Sequence, residues 1–155
     1  MTRTAARELA ILLGFAAGAD GAETAQETMD RFFEPEHYAS MAEENPLFAE
    51  YPDERQMEYI RSLVTLIAER RETLDAYIEK YARGWKAERI SRTAGAVLRC
   101  AMSEILWLPE VPNAAAINEA VELAKKYEDA DTVAFINGIL GGFVRGEVEQ
   151  EQETT

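Results

Sequence analysis

Apolar residues in this chain fall mainly at three- and four-residue intervals, the period of a helix with one buried face. The first such stripe is Ala5, Leu9, Leu12, Leu13 and Ala16, and Gly18 and Gly21 stop it. Thr24 and Glu27 have the spacing of a capping box, in which each side chain accepts from the other's backbone N–H. A second helix is therefore expected from there to about Phe33. Pro35 and Pro46 bracket an acidic stretch with room for one short helix or none. Pro52 and Asp53, with Gln56 completing a cap, open the longest periodic segment: Ile60, Leu63, Val64, Ile67, Leu74, Ile78 and Tyr81. Arg70 and Arg71 interrupt it, which predicts a kink or break there, and Gly84 ends it. Ser91 caps a helix whose apolar face is Ala94, Val97, Leu98, Ala101, Ile105 and Leu108. After Pro109 and Pro112, a helix at about Ala114 to Tyr127 turns Ile117, Val121 and Ala124 inward. A last helix, capped by Asp131 or Thr132, carries Ile136, Ile139, Leu140 and Phe143.

No stretch alternates with period two over a useful length, so no sheet is expected, and no internal repeat is present. About seven helices joined by short loops predict an all-α, single-domain helical bundle over residues 1–146. The Glu/Gln-rich residues 147–155 predict a disordered acidic tail.

Composition narrows the chemistry. A chain of 155 residues, 47% of them hydrophobic, has enough apolar matter for one real core. Cys100 has no cysteine partner, which excludes a disulfide scaffold and fits a reducing, cytoplasmic location. His37, the one histidine, lies far from Cys100, which disfavours a zinc site. It also leaves Ser-His-Asp chemistry only through an acidic loop without a suitable neighbourhood. No catalytic residue, metal or cofactor is predicted. Arg3 and Arg7 before the run Leu9 to Ala17 look like a short signal peptide, but Glu8 abuts the run and the stretch also reads as an amphipathic helix. No run approaches the roughly twenty apolar residues that span a membrane.

The net charge of -13 argues against binding nucleic acid through a broadly basic surface. It is unevenly spread: residues 1–18 carry +1, 19–58 carry -10, 59–107 carry +3 and 108–155 carry -7. A local cationic face is thus compatible with the total. Lys80, Arg83, Lys86, Arg89 and Arg92 recur every three residues. On one helix such a stripe drifts around the surface, and it suits a solvated face paired with Glu79 and Glu88.

The second half carries a family pattern. Trp85, Arg89-Ile90, Ala96-Val97-Leu98-Arg99 and Ser103-Glu104-Ile105 come first. Ala116-Ile117-Asn118-Glu119-Ala120-Val121-Glu122-Leu123-Ala124-Lys125 follows, and then Phe135-Ile136-Asn137-Gly138-Ile139-Leu140. With Ala6-Arg7-Glu8 opening an apolar helix, these resemble the transcription antitermination factor NusB family over nearly the whole chain. The exceptions are the acidic loop around 35–52 and the tail. The resemblance implies an all-helical, non-enzymatic factor that binds boxA-type RNA together with the ribosomal protein NusE. It further implies a place in the RNA polymerase antitermination complex, promoting processive transcription of ribosomal RNA operons.

On the matching positions, the resemblance places RNA contacts at Arg3, Arg7, Phe15, Tyr127 and Phe135, and partner contacts at Tyr81, Glu88 and Arg89. Guanidinium groups pair with phosphate and aromatic rings stack on bases, which suits these residue types. The family's start is typically richer in arginine, and Phe15 stands where a tyrosine often does. An adaptor that keeps NusE but binds RNA weakly is therefore the alternative. A more distant one is a stand-alone relative of the RNA-binding domain of ribosomal RNA cytosine methyltransferases. A homodimer that hides the RNA face is among the states the resemblance allows. Trp85 reads as core, Asn118, Asn137, Glu119 and Glu122 read as structural, and Gly138, Gly141 and Gly142 as sites of close helix approach. The acidic stretch near 35–52 suits repulsion of non-specific RNA.

Overall fold

Asp53 Oδ1 accepts from the Gln56 N–H at 2.8 Å while Gln56 Oε1 accepts from the Asp53 N–H at 2.9 Å, the reciprocal box expected at the longest periodic segment. Asp53→Ala should cost about 1 kcal/mol, read as a lower urea midpoint at unchanged slope. Ser91 likewise caps the central helix, its Oγ accepting from the Ala94 N–H at 3.0 Å.

The computed structural model describes residues 1–17, 22–83 and 90–149, with the side chains of 15–17, 22 and 23 excepted. Among the described residues there are eight α-helices and no strand: α1 Arg3–Ala17, α2 Ala22–Phe32, α3 Pro35–Ser40, α4 Glu54–Glu69, α5 Arg71–Tyr81, α6 Arg92–Trp107, α7 Asn113–Tyr127 and α8 Ala130–Phe143. A 3₁₀ turn at Pro46–Ala49 precedes α4, and a π turn at Val144–Val148 follows α8. The expected all-α class holds. The break at Arg70 is also present, with α4 ending at Glu69 and α5 starting at Arg71.

Two compact units divide the chain, Met1–Glu69 and Arg70–Thr155. In the first, α1 packs on α2 and α4, and α2 on α4. Leu9, Leu13, Met29, Ile60 and Leu63 are wholly buried there. Each contributes roughly 1.5–3 kcal/mol by leaving water. α2 begins two residues before Thr24, so Thr24 is not its cap. Its carbonyl instead accepts from Thr28 Oγ1 at 2.9 Å inside the helix.

The acidic stretch holds one short α-helix, α3, as its prolines allowed, and the 3₁₀ turn after it. Glu34 caps α3, accepting from the His37 N–H at 3.0 Å. Phe32, Phe33, Tyr38, Phe48 and Tyr51 pack mostly edge-to-face, with Phe33 stacked on Tyr38 and centroids from 5.0 to 6.2 Å apart. Tyr38 Oη donates to the Glu50 carbonyl at 2.8 Å and Tyr51 Oη to the Phe33 carbonyl at 2.6 Å, so both ends of the stretch are tied down. Burial, followed by the charges of Tyr51 and Glu50, pushes the Tyr38 phenol up to about 12. A raised phenol pKa means that folding favours the neutral form. The stability it contributes is complete below the ordinary value near 10 and is lost as pH rises through about 12. In an alkaline titration of absorbance, Tyr38→Phe should remove the last tyrosinate to ionise; an unchanged curve would contradict the assignment.

In the second unit α5 packs on α6 and α8, α6 on α7 and α8, and α7 on α8. α6 is buried nearly all round: besides its expected face, Gly95, Ala96, Cys100, Met102, Ser103 and Glu104 are buried. α7 meets the expectation at Ala124 and is otherwise rotated from it. Ala116, Ala120, Leu123 and Ala124 are inside and Ile117 and Val121 only half-buried, because alanine stripes let neighbouring helices come close. Asp129, not Asp131 or Thr132, caps α8, accepting from the Thr132 N–H at 2.8 Å. That bond holds its carboxyl below the usual range. The chain stays helical through Glu149, past the expected start of the tail, and residues 150–155 lie outside the described residues.

Candidate nucleic-acid and partner interface

Thr2 caps the first helix, its Oγ1 accepting from the Ala5 N–H at 3.0 Å, so α1 begins with Arg3 in its first turn. Arg3 is exposed, with its guanidinium 5.0 Å from the centre of the Tyr59 ring on α4. Arg7 is 4% exposed and the neighbouring Glu8 6%. Of the two arginines expected to meet RNA, Arg3 is thus the one open to solvent and Arg7 is buried. Phe15 lies on the same helix, twelve residues or about 18 Å further along, and its side chain is outside the described residues.

Tyr127 ends α7 and is 43% exposed, one of two large apolar side chains open to solvent among the described residues. Lys126 Nζ stands 5.6 Å from its ring centre, so a cation and an aromatic face are presented together. Lys125 pairs with Glu122 at 2.9 Å on the helix surface. Phe135, on the neighbouring α8, is half-buried. Tyr127 and Phe135 thus share one unit on packed helices, whereas Arg3 and Phe15 belong to the other unit.

Of the three expected partner contacts, Tyr81 lies among the described residues. It is half-buried at the end of α5, its Oη donates to Glu147 Oε1 at 2.7 Å, and its ring meets Phe143 edge-on at 6.1 Å. Lys80 Nζ reaches the same oxygen of Glu147 at 2.5 Å, so its partner is a residue of the expected tail rather than Glu79. The Lys80 hydrogen bond, then that of Tyr81, holds the Glu147 carboxyl low, and the same contact raises Lys80. Burial, then the bond to Glu147, raises Tyr81. A lowered carboxyl contributes stability above its unfolded value and loses it as pH falls through the folded one, so this contact weakens in acid. Glu88, Arg89, Trp85, Lys86 and Gly84 lie outside the described residues.

The positive segment 59–107 spends several of its bases internally. Arg61 pairs with Asp30 at 2.9 Å, and Arg99 and Arg71 share the two oxygens of Asp75 at 2.7 and 3.5 Å. Arg70 lies 6.0 Å from the Trp107 ring. Asn118 and Asn137 are exposed rather than tied into the packing. Of the glycines expected at close approaches, Gly142 is one: a Cβ there would meet Tyr81 Cδ1 at 3.3 Å. Gly138 has open space around it. Gly146, which the spacing did not single out, is another close approach, since a Cβ there would displace the Tyr81 phenol. Among the described residues, no group of three or more His, Cys, Asp or Glu could hold a metal ion. Nor is any helix long and apolar enough to cross a membrane.

The class these features define is an all-helical chain whose candidate residues are aromatic and cationic surface groups rather than a cluster of nucleophiles and bases. Its fold is that of a solved structure of T. maritima NusB, with a TM-score of 0.63 over 96% of this chain and 97% of that one, at 24% identity. Residues 4–145 match the model of the NusB family. The transcription antitermination protein NusB of Symbiobacterium thermophilum is 38% identical over 149 residues, covering 94% of this chain and 91% of the relative. That of Clostridium perfringens is 37% identical over 140 residues, covering 90% and 94%. The chain belongs to the NusB family, a family of transcription antitermination factors and not of enzymes.

Proposed function

We propose that this chain is a cytoplasmic antitermination factor that binds boxA-type RNA together with NusE and, within the RNA polymerase antitermination complex, promotes processive transcription of ribosomal RNA operons. The observation that carries the reading is the match of residues 4–145 to the NusB family, which runs across both compact units. On this reading the two units act as one domain over residues 1–146. Arg3, Phe15, Tyr127 and Phe135 face RNA, and Tyr81, Glu88 and Arg89 serve the protein partner. Tyr127 with Lys126 beside it supports the RNA assignment, since a ring and a cation together suit an unstacked base and its phosphate.

The buried Arg7 favours a second reading, an adaptor that keeps NusE and binds RNA weakly. Fluorescence anisotropy of a labelled boxA-like RNA separates the two, titrated with the protein alone and then with NusE at a stated salt concentration. Tighter binding with NusE, with a salt slope made shallower by roughly 0.7 in Arg3→Ala, supports the antitermination factor. RNA binding absent even with NusE bound leaves the adaptor.

A further inference from the structure

Three groups converge on the C-terminal turn of the second unit. Glu147 Oε1 takes hydrogen bonds from Lys80 Nζ and Tyr81 Oη, at 2.5 and 2.7 Å, and the Tyr81 ring lies against the backbone of Gly142 and Gly146. Gly146 permits this closeness, because a side chain there would displace the Tyr81 phenol from its present position. The backbone over Val144–Val148 is a π turn, wider than the α-helix it continues and uncommon except as short insertions at functional positions. Phe143, just before it, is completely buried and edges against both Tyr77 and Tyr81. The helix is therefore anchored through Phe143 and the buried Val144 that opens the turn, whereas the rest of the turn is tied to α5 by the Glu147 carboxylate and the Tyr81 ring. Lys80 is 61% exposed and Glu147 20%, so the ion pair is open to water on its lysine side.

We propose that the Val144–Val148 turn is a latch that covers Tyr81, and that opening it is a step in binding the protein partner. The proposal rests on the reading above, in which Tyr81 contacts NusE. With the latch closed, the phenol oxygen is engaged by Glu147 and one side of the ring is covered by Gly142 and Gly146. A partner that needs Tyr81 binds only the open fraction, and its apparent affinity falls by that fraction.

The test uses the full chain and two openers that act differently. Gly146→Ala places a methyl where the phenol lies, and Glu147→Gln removes the charge that gathers Lys80 and Tyr81. Hydrogen exchange of the amides of residues 144–149 should speed about tenfold in both, while exchange in α6 stays at the wild-type rate. NusE should bind both variants about three- to tenfold more tightly than the wild type. Unchanged exchange at 144–149 overturns the latch. Faster exchange with equal or weaker NusE binding overturns its role in covering Tyr81. If NusE binds neither the wild type nor the variants, the partner reading under the proposed function fails instead, and the exchange rates still decide whether the turn opens.

Discussion

Phe143→Ala is expected to cost the fold about 3–5 kcal/mol, the range for removing a large aromatic side chain from a packed interior. The ring is completely buried, with Tyr77 5.1 Å and Tyr81 6.1 Å away in edge-on contact, and it closes the end of α8 against α5. Truncation forfeits the transfer free energy of the ring and leaves a cavity that the stiff neighbouring tyrosines fill poorly. Since domains of this size are stable by roughly 5–15 kcal/mol, the variant should retain only a fraction of the original stability. Urea unfolding monitored by circular dichroism reads the effect. Phe143→Leu should recover part of the loss by refilling some of the volume, and a cost below about 1 kcal/mol for the alanine variant would show that the ring does not hold this corner.

The second large effect concerns binding. Tyr127→Ala should weaken boxA-like RNA by about 1–3 kcal/mol, the usual range for one base stacked on an aromatic side chain. Tyr127 is 43% exposed at the end of α7, so its removal should leave stability within about 0.5 kcal/mol. Tyr127→Phe should bind nearly as the wild type, because stacking uses the face of the ring and not its hydroxyl. Anisotropy in the presence of NusE, alongside a thermal melt of each variant, separates a binding loss from unfolding. Alanine and wild type binding RNA equally would remove Tyr127 from the interface.

Much of the helical scaffold is legible along the chain because the signals concerned are local. The box of Asp53 and Gln56, the Ser91 cap and the break at Arg70 each depend on residues within one turn of one another. The cap of α8 shows the limit. Asp129, Asp131 and Thr132 are all chemically able to cap, and the choice follows from where α7 releases the chain, just after Tyr127. α7 itself offers two adjacent apolar stripes. Periodicity favours the one with the larger residues, Ile117 and Val121, while packing against α6 and α8 selects the alanine stripe.

The candidate surface divides in the same way. Exposure of Arg3 at a helix start and of Tyr127 at a helix end agrees with their polar sequence surroundings. The burial of Arg7 does not, since nothing in Ala6-Arg7-Glu8 distinguishes a solvated guanidinium from a buried one. Glu147 is similar: seen along the chain it begins an acidic tail, yet it holds two residues of α5 sixty-six and sixty-seven positions away. By itself the sequence determined the all-helical class, the family and most of the helix limits, because period, caps and motif order are properties of neighbours. Only the tertiary structure decided which face of α7 is inside, that α6 is enclosed nearly all round, that Arg7 is withdrawn and that Gly146 lies against the Tyr81 phenol. Those depend on distances between groups far apart in the chain, for which no local pattern of residue types is a record.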